Sequence, residues 1–88
     1  MFIYVIEVIE EFDGNIETQI FLFDTQEKAQ EHKQKIIDDF SHFIEDIREN
    51  IKEGFEDCEI IDNPFYFYCY NALNFDRLTV AITKNQIL

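Results

Sequence analysis

The chain has 88 residues, of which 47% are hydrophobic, and a formal net charge of −12 at pH 7. This length fits a single domain over residues 1–88, and the apolar fraction is too high for a disordered tail. The negative charge argues against direct binding to nucleic acid and to anionic membranes, because both attract basic proteins. The N-terminus lacks the basic region of a signal peptide and no stretch is long enough to span a membrane, so we expect a cytoplasmic protein.

Residues 2–12 and 16–23 predict two strands that pair as a hairpin. Both segments are rich in β-branched and aromatic residues in alternation with polar ones, and residues 13–15 read Asp-Gly-Asn, a turn signal. A two-residue loop would place Glu7 opposite Ile20, whereas a three-residue loop would move the second strand by one position. We expect the three-residue loop, because it separates charged from apolar side chains more completely.

This loop length assigns every side chain of the hairpin to one face of the sheet. The face expected to receive a helix carries Phe2, Tyr4, Ile6, Val8, Ile16, Ile20 and Leu22. The opposite face carries Ile3, Val5, Ile9, Phe21 and Phe23, together with Glu7, Glu11, Glu17 and Gln19.

The stretch from Asp24 to Gly54 predicts one long amphipathic helix. Asp24 followed by Glu27 resembles a capping box, and Gly54 suits the left-handed conformation that ends many helices. The length leaves room for a break near Ser41. Apolar residues recur at spacings of three and four and define the face that packs on the sheet: Ala29, Ile36, Ile37, Phe40, Phe43, Ile44, Ile47 and Ile51.

The outer face of this helix and the segment that follows carry most of the negative charge. Residues 38–62 hold ten acids and two bases, a net charge of −8, whereas residues 63–88 have a net charge of +1. Two interpretations stay open: a solvated face that maintains solubility, or a surface that binds a basic protein. The partner-binding residues under the second interpretation are Asp38, Asp39, Glu45, Asp46, Glu49, Glu53, Glu56 and Asp57.

The remaining chain predicts two or three further strands. Residues 55–62 form a short strand or an extended connector, and Asn-Pro at 63–64 signals a turn. Residues 65–71 and 75–83 form a hairpin around a tight connection at 72–73. The fold class is therefore α+β. We expect an antiparallel sheet of four or five strands, built from a hairpin, one long helix packed on one face, and a second hairpin or three-stranded meander.

Three tyrosines alternate along residues 65–71 on the face away from the helix. A two-residue loop would place Phe67 opposite Leu78 and Tyr68 opposite Arg77, a favourable cation–π arrangement. Such an apolar surface is typical of an interface, although tyrosine also tolerates a half-wet sheet surface. A stacking platform for single-stranded nucleic acid would need positive charge. The residues predicted to contact a second copy or a partner are Tyr66, Tyr68, Tyr70, Arg77, Phe21 and Phe23.

No stretch carries a catalytic, cofactor or metal motif. Cys58 and Cys69 would lie opposite each other if residues 63–64 formed the loop, but reduced thiols are the expectation in the cytosol. His42 and the two aspartates before it offer too few ligands for a zinc site. Two glycines cannot build a phosphate cradle, and local spacing yields no Ser-His-Asp arrangement. We therefore expect no enzyme activity, no cofactor and no metal.

Two function classes remain. The first is a non-catalytic protein–protein interaction module, such as an inhibitor that presents an acidic helix to a basic nucleic-acid-binding protein. B-DNA carries about one charge per 1.7 Å of axis, and a row of acids imitates part of that density. Small acidic anti-restriction and anti-CRISPR proteins of phages and mobile elements use this device, and the likeness is one of composition only. The second class is a small homodimeric structural or regulatory protein that pairs through the tyrosine face, with the acids serving solubility.

Overall fold

The computed structural model describes residues 1–87, and within them five strands form one antiparallel sheet with two helices. The strand order is β2-β1-β5-β4-β3, so the last strand lies at the centre of the sheet. The predicted α+β class and antiparallel sheet are confirmed, with five strands. The elements are β1 (Phe2–Phe12), β2 (Asn15–Phe23), α1 (Gln26–Asp39), α2 (Ser41–Lys52), β3 (Glu59–Asn63), β4 (Tyr66–Asn71) and β5 (Asp76–Gln86).

The β1–β2 hairpin closes with a two-residue loop, so the predicted three-residue loop is wrong. Asp13 and Gly14 have φ values of 54° and 80°, which is the geometry of a type I′ turn. Such turns match the right-handed twist of the strands that they join. Glu7 therefore pairs with Ile20. Because side chains alternate along a strand, this difference of one residue moves every β2 side chain to the other face of the sheet.

The corrected register exchanges the aromatic and aliphatic side chains of β2. Phe21 and Phe23 lie beneath α1 and pack against the core, so their predicted place on the uncovered face is wrong. Ile16, Ile20 and Leu22, predicted to face the helix, lie instead on the uncovered face with 66%, 60% and 62% of their surface exposed.

The predicted single helix is two helices. α1 ends at Asp39 and α2 begins at Ser41, and Phe40 between them has φ −103° and ψ 20°. The Phe40 N–H donates to the carbonyls of Ile36 and Ile37, at 3.3 and 3.1 Å, which tightens the last turn of α1. α1 lies over β1, β2 and β5, whereas α2 lies over β3 and β4. The break thus lets one continuous stretch of sequence cover both halves of the sheet.

Aromatic rings hold the helix break against the end of β1. The ring centre of Phe12 lies 5.8 Å from that of Phe40 in a stacked arrangement, and 4.9 Å from that of Phe43 in an edge-on arrangement. Such pairs stabilise by about 0.5–1.5 kcal/mol beyond the area that they bury. This tertiary contact fixes where the helix bends.

Both ends of the helical region have defined caps. Thr25, not Asp24, is the N-cap, and its Oγ1 accepts a hydrogen bond from the Lys28 N–H at 3.2 Å. Asp24 instead pairs with the Lys28 ammonium at 3.0 Å, which holds the pKa of Asp24 below its ordinary value. Gly54 adopts φ 95° and donates its N–H to the Ile51 carbonyl at 3.1 Å, in agreement with its predicted role.

The β4–β5 connection has four residues where two were predicted, because Asn71 pairs with Asp76. Phe67 therefore lies opposite Val80 instead of Leu78. A shift of two residues leaves each side chain on its predicted face. Phe67 accordingly faces the helices and is buried, and the β4 tyrosines point away from them.

The core lies between the helices and the sheet. Lys33 of α1 is buried at its margin, and its Nζ lies 3.5 Å from the partly exposed carboxylate of Asp62 on β3. No helix within residues 1–87 has both the length and the apolar character needed to cross a membrane. The buried apolar residues are Ile6, Val8, Ala29, Ile44, Ile47, Cys58, Phe67, Cys69, Leu78, Val80 and Ile82.

Candidate interaction surfaces

The sheet face away from the helices, here called the open face, is lined by alternate residues of all five strands. Val5 and Ile9 of β1, for example, point away from the buried Ile6 and Val8. None of the open-face side chains is fully buried. Together with these two they are Ile3, Glu7, Glu11, Ile16, Thr18, Ile20, Leu22, Glu59, Ile61, Asn63, Tyr66, Tyr68, Tyr70, Arg77, Thr79, Ala81, Thr83 and Asn85.

The charges of the open face are partly paired at one end. Arg77 Nε lies 2.8 Å from Glu11 Oε2, and the guanidinium carbon lies 4.9 Å from the centre of the Tyr70 ring. The predicted cation–π partner, Tyr68, lies opposite Thr79 instead. Burial raises the pKa of Tyr68, and the Arg77 charge offsets part of that effect. Besides the tyrosines, the open face carries the charged side chains of Glu7, Glu11, Glu59 and Arg77, a formal net charge of −2.

The open face differs in composition from the predicted one. It contains the three tyrosines and Arg77 as predicted, but Phe21 and Phe23 are absent from it. The aliphatic side chains of Ile16, Ile20 and Leu22 take their place. The Asp-Gly dipeptide after β1 was the signal for this arrangement, since it is the preferred sequence of a two-residue hairpin loop.

A second surface, here called the acidic surface, comprises the eight predicted acids from Asp38 to Asp57. All eight are exposed, on the end of α1, on α2 and in the turn that follows. Only Arg48 and Lys52 provide positive charge within residues 38–57, and Arg48 pairs with Glu45. These eight acids and two bases give a net charge of −6. Because α2 lies over β3 and β4, the acidic surface belongs to the β3 side of the molecule.

The cysteines are buried and free. Burial raises the pKa of Cys69 to about 12, so this thiol is protonated at neutral pH and is a poor nucleophile. The Cys58 sulfur accepts a hydrogen bond from the Ala72 N–H at 3.4 Å. Cys69 lies opposite Ile60, because the β3–β4 turn comes one residue later than the loop considered above. The facing arrangement of the two cysteines is therefore not formed.

The two histidines lie in different environments. His42 is exposed, as expected for a polar helix face. The His32 ring lies 4.5 Å from the Phe21 ring and 5.1 Å from the Phe23 ring, and its buried Nε2 has no hydrogen-bond partner within residues 1–87. No group of three His, Cys, Asp or Glu side chains in that same range is arranged to hold a metal ion.

Comparison with known proteins gave no matching family, no matching curated protein and no matching solved structure. The open face and the acidic surface are therefore the features from which a function is inferred. The first combines aliphatic and tyrosine side chains with a few charges, whereas the second is strongly negative, so the two surfaces differ in chemistry.

Proposed function

We propose that this protein is a non-catalytic protein–protein interaction module that binds a basic protein through its acidic surface. The observation that carries the proposal is the exposure of all eight acids, with only two bases among them over residues 38–57. Like charges at neighbouring positions of one helix destabilise that helix. Clustering these acids therefore destabilises the helix while it strengthens the negative electrostatic potential at the surface, and this combination favours a role in binding.

The partner class that fits best is a basic nucleic-acid-binding protein. α2 has 12 residues, which corresponds to a rod about 18 Å long. Duplex DNA carries about one negative charge per 1.7 Å of axis, and a cleft that accepts it is lined by Lys and Arg. The acidic surface offers carboxylates to the same basic groups, so the protein acts as an inhibitor that competes with nucleic acid.

Affinity capture with matched charge variants tests this proposal. The surface variant changes Asp38, Asp39, Glu45, Asp46 and Glu49 to the corresponding amides. The control variant removes the same number of charges elsewhere, at Glu7, Asp13, Glu17, Glu27 and Glu31. We expect the wild type and the control to retain a basic nucleic-acid-binding protein at low salt and to lose it as salt rises.

The surface variant is expected to retain none of that protein at any salt concentration. Capture by the surface variant that equals capture by the control would contradict the proposal, because net charge alone would then explain binding. Circular dichroism of both variants verifies that the fold is retained.

A second candidate is a small homodimeric structural or regulatory protein that buries its open face against a second copy. It is favoured by the exposure of Ile16, Ile20 and Leu22 beside the tyrosines, since contiguous apolar patches of this kind are typical of interfaces. Tyr68→Glu should then halve the mass measured by light scattering, while Glu31→Gln, on the outer side of α1, should not. A wild-type monomer at high concentration would remove this candidate.

A further inference from the structure

The two outer strands of the sheet are protected to very different degrees. β3 is short, with five residues, carries Glu59 and Asp62, and is followed at once by Pro64. β2 has nine residues, and its only charged side chain is Glu17. It contains no proline, lysine or arginine, although natural sheets use these residues to prevent pairing at an exposed edge. The β2 edge is therefore open to another strand.

The backbone groups that point outward from β2 follow from the sheet hydrogen bonds. The Ile87 N–H donates to the Met1 carbonyl at 2.9 Å, so the odd-numbered residues of β1 bond to β5. The even-numbered residues of β1 then bond to the odd-numbered residues of β2, as a two-residue hairpin loop requires. Within β2, the N–H and C=O groups that have no strand partner among residues 1–87 belong to Ile16, Thr18, Ile20 and Leu22.

We propose that β2 of a second copy pairs with this edge in an antiparallel arrangement centred on Gln19. This register places Ile16 opposite Leu22 of the second copy and Thr18 opposite Ile20 of the second copy. In this register the four residues of each strand whose backbone N–H and C=O groups point outward form about eight hydrogen bonds with the other copy. The pairing is reciprocal, since Ile16 of each copy lies opposite Leu22 of the other, as a two-fold symmetric dimer requires.

The side chains of this register are compatible on both faces of the joined sheet. The aliphatic residues of the two strands lie side by side on the open face, where cross-strand apolar pairs stabilise a sheet. On the helix side Glu17 lies opposite Phe21 of the second copy, so no two acids face each other. The two β1 strands would be about 14 Å apart, more than the 8–10 Å at which helices pack, so the α1 helices do not collide.

The charge distribution also favours a second copy at β2 over one at β3. The acidic surface lies over β3 and β4, and these two strands are farthest from β2. In the joined sheet the two β3 strands are about 43 Å apart, at about 4.8 Å per strand. This separation is several times the Debye length of about 8 Å at physiological salt. Two copies with a net charge of −12 each can therefore join at β2 without strong repulsion.

This dimer is independent of the acidic surface and leaves it free on both copies. It is also distinct from the contact of the second candidate, because edge pairing joins copies within the plane of the sheet, whereas contact through the open face stacks one sheet on another. The two self-contacts predict different sensitive residues and are separable by mutation.

Proline substitutions on β2 test the proposal. Thr18→Pro removes an outward N–H and costs the monomer no sheet hydrogen bond, whereas Thr18→Val retains that N–H. We expect the wild type to sediment at least as a dimer and Thr18→Val to match it. We expect Thr18→Pro to halve the mass, to raise the dissociation constant at least about 100-fold, and to keep the wild-type circular dichroism. Gln19→Pro, which removes an inward N–H, should lower the unfolding temperature instead.

Several results would overturn the proposal. A monomeric wild type at about 100 μM, well above the micromolar range of weak dimers, is one of them. A folded Thr18→Pro variant with the wild-type mass is another, and a loss of mass on Tyr68→Glu alone would assign the contact to the open face. Ile20→Pro serves as the second variant, and unfolding of both proline variants would mean that these N–H groups are engaged within the monomer. Capture of a basic protein by folded Thr18→Pro reports on the proposed function separately.

Discussion

The β2 side and the β3 side of this sheet differ in charge, in covering and in the form of their edge strands. The β2 side has a long edge strand, aliphatic side chains on the open face and α1 above it. The β3 side has a short edge strand that bears acids, with the acidic surface of α2 above it. A chain of 88 residues can thus carry two chemically different surfaces, because one sheet separates them in space.

The largest effect is expected from a change in the turn that sets the β2 register. Gly14 has φ 80°, a conformation that costs a residue with a side chain about 1–2 kcal/mol. We therefore expect Gly14→Ala to lower the free energy of unfolding by about that amount, measured by urea denaturation.

The matched control for Gly14→Ala lies in the turn between β4 and β5. Leu73 is 55% exposed and has no positive φ, so Leu73→Ala should change the free energy of unfolding by less than about 0.5 kcal/mol. Equal losses for the two variants would show that the positive φ of Gly14 is not the cause of the destabilisation.

A smaller effect is expected from the acid pair within the β1–β2 hairpin. Glu10 and Glu17 lie directly opposite each other, and burial together with the Glu17 charge raises the pKa of Glu10 above its ordinary value of 4.5. Like charges opposite each other in a sheet are destabilising. Glu10→Gln should therefore raise the free energy of unfolding at pH 7 by about 0.2–1 kcal/mol.

The pH dependence of this gain has a definite sign. The native protein binds the Glu10 proton more tightly than the unfolded chain does, so the repulsion is present at neutral pH and is lost as pH falls through the raised pKa. The difference between the variant and the wild type should therefore shrink as pH falls from the raised pKa of Glu10 to its ordinary value of 4.5, and it should be absent below that pH. Glu7→Gln is the control, because Glu7 lies opposite Ile20 and Ala81 and not opposite an acid. A gain for Glu7→Gln as large as that for Glu10→Gln would contradict the pairwise cause.

The two hairpins explain how much of the fold followed from the sequence. Alternation predicted the strands, and in the β4–β5 hairpin a register error of two residues left Phe67 and the tyrosines on their correct faces. In the β1–β2 hairpin an error of one residue reversed the faces of β2, so Phe21 and Phe23 were assigned to the wrong surface. Charge segregation was a poorer guide to register than the Asp-Gly preference for a two-residue turn.

In the helical region, too, features set by local sequence pattern were predictable, whereas features set by contacts between distant residues were not. The exposure of the acids on α1 and α2 followed from helical periodicity. A break near Ser41 was allowed for by the length of the predicted helix, but its cause was not, because the contacts of Phe40 and Phe43 with Phe12 join residues far apart in the chain. The strand order could not be predicted either, since β5 inserts between β1 and β4 and no local pattern encodes that placement.

Competition with DNA shows whether the acidic surface occupies the nucleic-acid site of a basic protein. The basic protein captured by the wild-type acidic chain is first bound to a fluorescent DNA duplex. The 88-residue acidic protein is then titrated into that complex while the fluorescence anisotropy of the duplex is recorded. We expect the wild-type acidic protein to release the duplex fully, and the variant with amides at Asp38, Asp39, Glu45, Asp46 and Glu49 to release none. A ternary complex, in which the basic protein binds the duplex and the acidic protein at the same time, would contradict the proposed competition.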